Sequence, residues 1–220
     1  DWANYRTGQG VSVKIVDVED VFDEFNFGNS GSLSIKSFIE YAKNNWQTPP
    51  EYVLLMGDAS YDPRNYLGLG NWNLVPTRMV QTIYTETGSD DALTDFNNDG
   101  LAEIPIGRIP TRTAENALLA LNKVMSFEQN LSEAVTRGAL CVSDLPEGYD
   151  FTAICNRVFN ELSANFTKSF VNRADSDAHN TLKNLLNEGK YIVNYAGHGS
   201  VTAWAAPSFF SQTHASQMTN

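Results

Sequence analysis

Short apolar runs of strand character alternate along this chain with stretches whose apolar residues recur every three to four positions. Parallel strands must be joined by a crossover, usually a helix, so this alternation points to serial β-α units rather than to an all-α or all-β fold. In order, the pattern predicts a strand at Val11–Val18, an acidic aromatic loop over Glu19–Phe27, and a helix from Ser32 as N-cap to Trp46, broken by Pro49-Pro50. Tyr52–Met56 reads as a strand buried on both faces, Ile104–Ile109 as the next strand, and Thr113–Phe127 as a helix. The interval Ala59–Leu101, rich in Gly, Pro, Asn and Asp, is too long for an ordinary connection and is either functional or carries short strands of its own. The polar stretch Glu128–Arg137 is the best candidate boundary, giving an N-terminal α/β subdomain at 1–132 and a second at 133–220. The second series runs strand Ala139–Ser143, helix Phe151–Leu162, strand Phe166–Val171, helix Ala178–Leu186 and strand Tyr191–Tyr195. No internal repeat of solenoid period is present.

Composition narrows the function. With 42% hydrophobic and 19% charged residues, the chain can build a core. A formal charge of −11 repels phosphate backbones and anionic membranes, which argues against nucleic-acid partners, and no apolar run approaches the roughly 20 residues of a membrane span. The start, Asp1-Trp2-Ala3-Asn4-Tyr5-Arg6, lacks a signal-peptide pattern and suits a mature product or an excised piece. Two cysteines, Cys141 and Cys155, are too few for a disulfide framework or a cysteine zinc site, and both fall in apolar patterns expected to bury them. Gly68-Leu69-Gly70-Asn71-Trp72-Asn73 is not a dinucleotide fingerprint, since it lacks the third glycine and the strand-to-helix setting. No organic cofactor is expected.

Of three histidines, His179 falls in a helical stretch and His214 in a polar tail, whereas His198 stands between Gly197 and Gly199 directly after a strand. Flanking glycines remove side-chain bulk and let a substrate backbone approach the imidazole, as a proton-transferring histidine requires; the competing reading is a tight turn. Ser200 lacks a nucleophile elbow and suits local hydrogen bonding. A histidine base usually has an orienting carboxylate, and Asp144, Glu147 and Asp150 follow the Ala139–Ser143 strand as candidates, each also readable as a solvated turn acid. Asp150 could recognise a basic substrate side chain or cap the helix beginning at Phe151. Separately, Asp95-Phe96-Asn97-Asn98-Asp99-Gly100-Leu101-Ala102-Glu103 has the spacing of a shortened Ca²⁺ loop. Its oxygens would come from Asp95, Asn97, Asp99, the Leu101 carbonyl and Glu103; it departs from an EF-hand at Ile106, and an Asn/Asp/Gly turn is the alternative.

Val193-Asn194-Tyr195-Ala196-Gly197-His198-Gly199-Ser200, with Thr202-Ala203-Trp204 after it, resembles the catalytic-histidine segment of the gingipain-like cysteine peptidases, family C25. Tyr52–Asp58, Glu103–Arg108 and Ala139–Val142 resemble successive strands of that family in the same order, so the likeness covers nearly the whole chain. It implies a three-layer α/β/α caspase-like sandwich with mostly parallel sheet, and a Cys-His endopeptidase acting on protein or peptide substrates. By this resemblance His198 is the base, Pro146-Glu147-Gly148 matches the family's acid-glycine step with Asp144 as the alternative, and Trp204 leans toward a substrate subsite over a core role. Bacterial, secreted or cell-surface placement and a structural calcium follow from the same likeness.

Such an enzyme needs a thiolate, and in the family the nucleophile ends the strand after the Gly-His-Gly strand. Neither Cys141 nor Cys155 suits that role, so the thiol is expected on a further C-terminal catalytic polypeptide beyond Asn220, reached through truncation or processing, or else lost. The other readings are a non-catalytic peptide-binding or scaffolding member of the same fold, and, more weakly, a metal-using hydrolase lacking a clear ligand set.

Overall fold

The computed structural model describes residues 2–70, 72–83, 85–200, 202–205 and 209–219, leaving Asn71 of the glycine-rich stretch outside them. The chain divides into two compact units, Asp1–Val124 and Met125–Asn220.

The first unit opens with helix α1 (Trp2–Gly8), α2 (Val18–Asn26) and α3 (Ser32–Asn45). The strand expected at Val11–Val18 does not form: residues 11–17 belong to no ladder among the described residues, and Asp17 accepts a hydrogen bond from the Glu19 amide to cap α2. Alternating β-branched residues favour extended backbone, but without a partner strand that preference makes no sheet. The loop expected at Glu19–Phe27 is therefore mostly α2, whose Val21 and Phe22 are buried. Ser32 lies inside α3 rather than capping it; the N-cap is Gly31, without a side-chain cap bond.

Strand β1 (Val53–Met56) pairs in parallel with β4 (Ile106–Ile109), Val53 opposite Ile106. Having this one partner, β1 buries Leu55 while Leu54 stays 41% exposed, so it is not covered on both faces as its apolar run suggests. Between them lie the antiparallel pair β2 (Arg78–Gln81) and β3 (Glu86–Ser89) and a 3₁₀ turn at Asp91–Leu93, the short strands allowed for in the long interval. The core joins Val21, Phe22, Ile35, Ile39, Leu55, Leu93 and Ile104. Arg108 ties the interval down, donating through Nε and Nη2 to Asp90 and through Nη1 to the carbonyls of Gly57 and Val75, each at 2.7 Å.

Helix α4 (Ala114–Gln129) leads into α5 (Leu131–Thr136) and the second unit, so the stretch Glu128–Arg137 is largely helical. There β5 (Ala139–Ser143) is followed by α6 (Phe151–Glu161), β6 (Lys168–Asn172), α7 (Ala178–Asn187) and β7 (Ile192–Ala196), close to the expected spans. The three strands are parallel in the order β6-β5-β7, and every residue of central β5 is buried. Its side chains alternate as a two-residue period demands. Leu140 and Val142 pack with Val171, Ala178 and Leu182 on the α7 face, and Cys141 packs with Phe151, Cys155 and Ala196 on the α6 face. This is an α/β/α sandwich in miniature. A two-stranded antiparallel ribbon, β8 (Ala203–Trp204) with β9 (Phe210–Ser211), and the short α8 (Gln212–Ala215) complete it.

Candidate active site

The carboxyl ends of β5, β6 and β7 lie side by side, and the residues just past them form the site. Asp144 follows β5, Arg173 follows β6, and Gly197-His198-Gly199 follows β7. Asp144, 3% exposed, is the hub. Its Oδ1 accepts from Arg173 Nη1 at 2.7 Å and from the Leu145 amide at 2.7 Å, while Oδ2 accepts from the His198 amide at 3.2 Å. Burial alone would raise the Asp144 pKa, but the hydrogen bonds from Arg173, Leu145 and His198 hold it below the ordinary carboxylate value. The Tyr195 hydroxyl, 3.4 Å from Asp144 Oδ2, donates to the His198 carbonyl at 2.7 Å, and burial followed by the Asp144 charge pushes this phenol up to about 12. Asp144 thus grips the peptide backbone of His198, not its ring.

The ring meets a different acid. His198 Nε2 lies 3.7 Å from Glu147 Oε2, with side chains 56% and 72% exposed, and the edge of Phe151 meets the imidazole at 5.4 Å and 86°. That separation is longer than a hydrogen bond. Gly197 is required here: a Cβ would sit 2.4 Å from both Asp144 Cβ and the Tyr195 hydroxyl. Gly199 is less constrained, a Cβ there meeting, among the described residues, the Ala203 carbonyl at 3.7 Å.

Asp150 is placed as a cap: its Oδ1 accepts from the Ala153 amide at 2.9 Å at the start of α6. Trp204 is half-buried and stacks on Tyr195, centroids 4.6 Å apart and planes 4° from parallel, with Phe210 on its other flank at 5.3 Å. It shores up the wall behind the histidine. Ser200 is exposed and hydrogen-bonds locally, its amide donating to the Ala203 carbonyl at 2.8 Å and its hydroxyl to the same oxygen at 3.4 Å.

Both cysteines are fully buried. Cys155 Sγ donates to the Val142 carbonyl at 3.5 Å, and Asn194 Nδ2 donates to Cys141 Sγ at 3.3 Å. Burial first, then proximity to Cys141, pushes the Cys155 thiol up to about 12. A thiol shifted so far does not supply a thiolate at neutral pH, and Cys141 is sealed from any substrate.

In the loop of residues 95–103, one carboxylate oxygen from each of Asp95, Asp99 and Glu103 falls within 4.8 Å of the others. Asn97 and Leu101 serve the turn itself: Asn97 Oδ1 accepts from the Asp99 amide at 2.8 Å, and the Leu101 amide donates to Asp99 Oδ1 at 2.9 Å. Gly100, with φ +91°, donates to Asp95 Oδ2 at 3.0 Å. Lys36 reaches in to the Asp95 carbonyl and to Asn98 Oδ1.

Arg173 and Tyr195 complete the site without having been singled out from sequence. His179 and His214 also meet, their rings 4.5 Å apart. His179 Nδ1 bonds the Phe209 carbonyl, and His214 Nδ1 accepts from the Ser211 amide in the cap of α8. Desolvation, then His179 and Lys183, lowers the His214 pKa.

Comparison with known proteins shows the family. The family model for peptidase family C25 matches residues 1–220. Gingipain R2 of Porphyromonas gingivalis is 25% identical over 231 residues, covering 100% of this chain and 28% of the relative. Gingipain R1 of the same species is also 25% identical, with 21% of its length covered. The chain therefore spans less than a third of these relatives, and no solved structure matches it.

Proposed function

The chain belongs to peptidase family C25, and on that premise we propose that it provides the histidine half of a Cys-His endopeptidase site acting on protein substrates. The observation that carries the proposal is His198: backbone clamped at the end of a parallel strand, ring solvent-exposed, a free-standing carboxylate at its Nε2. In this reading the ring nitrogen turned away from Glu147 takes the proton of a cysteine thiol, the thiolate adds to the scissile carbonyl carbon, and the imidazolium returns the proton to the departing amine. Water then cleaves the thioester with the same histidine as base. Glu147 faces the ring at Nε2 through these steps, and Gly199 leaves space for the substrate chain.

The thiol comes from polypeptide outside residues 1–220, because the two cysteines within are sealed in the sheet core. Strand β7 pairs with β5 on one side only among the described residues, and its other edge is where the nucleophile-bearing strand would add. Secretion or cell-surface display in a bacterium is part of the same proposal. So is a structural Ca²⁺ held by Asp95, Asp99 and Glu103, a hard cation suited to carboxylate oxygens. Asp150, already engaged as a cap, would influence basic side chains of a substrate only through its charge.

The test is cleavage of unfolded protein substrates by the natural polypeptide that carries this chain. Cleavage that is blocked by iodoacetamide and lost in His198→Ala supports the peptidase. Persistence of cleavage in that variant sinks it, and peptide binding without cleavage assigns a binding module of the same fold. For the cation, millimolar Ca²⁺ after chelation should raise the melting temperature by a few degrees, and Asp99→Asn should abolish that rise; an unchanged transition removes the site.

A further inference from the structure

We infer that Arg173 is a positioning residue for His198, acting through Asp144 to fix the peptide unit on which the imidazole is mounted; the inference rests on the peptidase reading above. The residues past three adjacent strand ends are linked in spatial order, Arg173 after β6, Asp144 after β5, His198 after β7. Backbone bonds run with the side-chain links: the Arg173 amide donates to the Ser143 carbonyl and the Asp144 amide to the Ala196 carbonyl, each at 2.9 Å. Both polar groups of His198's backbone are held, the N–H by Asp144 and the carbonyl by the Tyr195 hydroxyl and the Ala205 amide.

This clamp answers a specific problem. The glycine before the histidine is forced by crowding, and glycine leaves the backbone loose where catalysis needs the ring placed within about 0.5 Å. A buried carboxylate bonded to the next amide restores the stiffness, and it does so most strongly while ionised. The charged and titratable groups meeting Asp144 are Arg173 from the end of β6 and Tyr195 from β7, and Arg173 is the one that favours the anion. Removing the guanidinium leaves burial opposed only by the Leu145 and His198 amides, so the carboxyl protonates at higher pH and the clamp weakens there.

The experiment compares wild type, Arg173→Met, Arg173→Lys and Asp144→Asn in the natural polypeptide, with folding checked by circular dichroism. In Arg173→Met, kcat should fall about 10- to 100-fold with KM within about twofold, and the acidic limb of the pH profile should move upward. Arg173→Lys should recover most of the loss. With selective ¹⁵N-histidine labelling, the His198 amide should titrate with Asp144 in Arg173→Met and stay constant in wild type over the same range. A folded Arg173→Met with unchanged kcat, or with an unmoved pH profile and amide, overturns the inference. Should Arg173→Met fail to fold, Arg173→Gln and Asp144→Asn decide: a His198 amide unshifted in either also overturns it. The amide readout needs no turnover, so a wild type that cleaves nothing would refute the peptidase reading while the clamp is still judged.

Discussion

The two units use one device at their strand ends, with different outcomes. In the first, Asp58 follows β1, its amide donates to the Thr111 carbonyl, its Oδ1 accepts from the Ala59 amide, and Arg112 past β4 donates to Oδ2 at 2.7 Å. In the second, Asp144 follows β5, its amide donates to Ala196, its Oδ1 accepts from Leu145, and Arg173 past β6 pairs at 2.7 Å. The Arg112–Asp58 side chains are 52% and 18% exposed and border a cavity of about 500 Å³; those of Arg173 and Asp144 are 17% and 3% exposed. The difference is a third strand. In the second unit β7 closes over the acid and presents an amide to its second oxygen, so the same pair that merely finishes a sheet edge in one unit holds a histidine in the other.

The sharpest way to break this comparison is to remove both acids in turn. Asp144→Ala leaves the half-buried Arg173 without its carboxylate and should cost about 3–5 kcal/mol, whereas Asp58→Ala, whose partner Arg112 is 52% exposed, should cost about 1 kcal/mol or less. Urea unfolding of the two variants measures both, and equal losses would erase the distinction. Next, Gly197→Ala should destabilise by about 1–3 kcal/mol from overpacking against Asp144 and Tyr195, while Gly199→Ala should stay within about 0.5 kcal/mol. Thermal melts of the pair test whether crowding belongs to one side of His198 only.

Acid sharpens the comparison further. Asp144 has a folded pKa held below its unfolded value, where burial is outweighed by Arg173 and the backbone amides. Asp90 is lowered likewise, burial being outweighed by Arg108 and Thr77. A depressed carboxyl contributes stability that is present above the unfolded value near pH 4 and is lost as pH falls through the folded value. Melting temperatures between pH 6 and 2 should therefore fall, and Asp144→Asn should flatten part of that slope.

The second unit was legible because its signals were mutually consistent: β5 is apolar at nearly every position and fully buried, and α6 and α7 follow with clean amphipathic periods. Val11–Val18 carried as good an alternation, yet pairing is a tertiary fact, and Asp17 offered the local chain a helix cap instead. His198 was readable because its glycine neighbours are adjacent in sequence. Arg173 and Tyr195 were not, since they reach Asp144 across 29 and 51 residues and resemble any arginine or tyrosine beside a strand end. Sequence offered Asp144 and Glu147 as rivals for one acid role; the fold gives each its own part, backbone and ring.

The face-to-face stack of Trp204 on Tyr195 makes the site its own optical reporter. Two coplanar chromophores at 4.6 Å couple their transitions, and Tyr195 is the residue whose hydroxyl holds the His198 carbonyl. Near-ultraviolet circular dichroism should thus carry a band that follows the order of the histidine loop without a label or a substrate, and it should fade in Trp204→Leu while the secondary-structure signal persists.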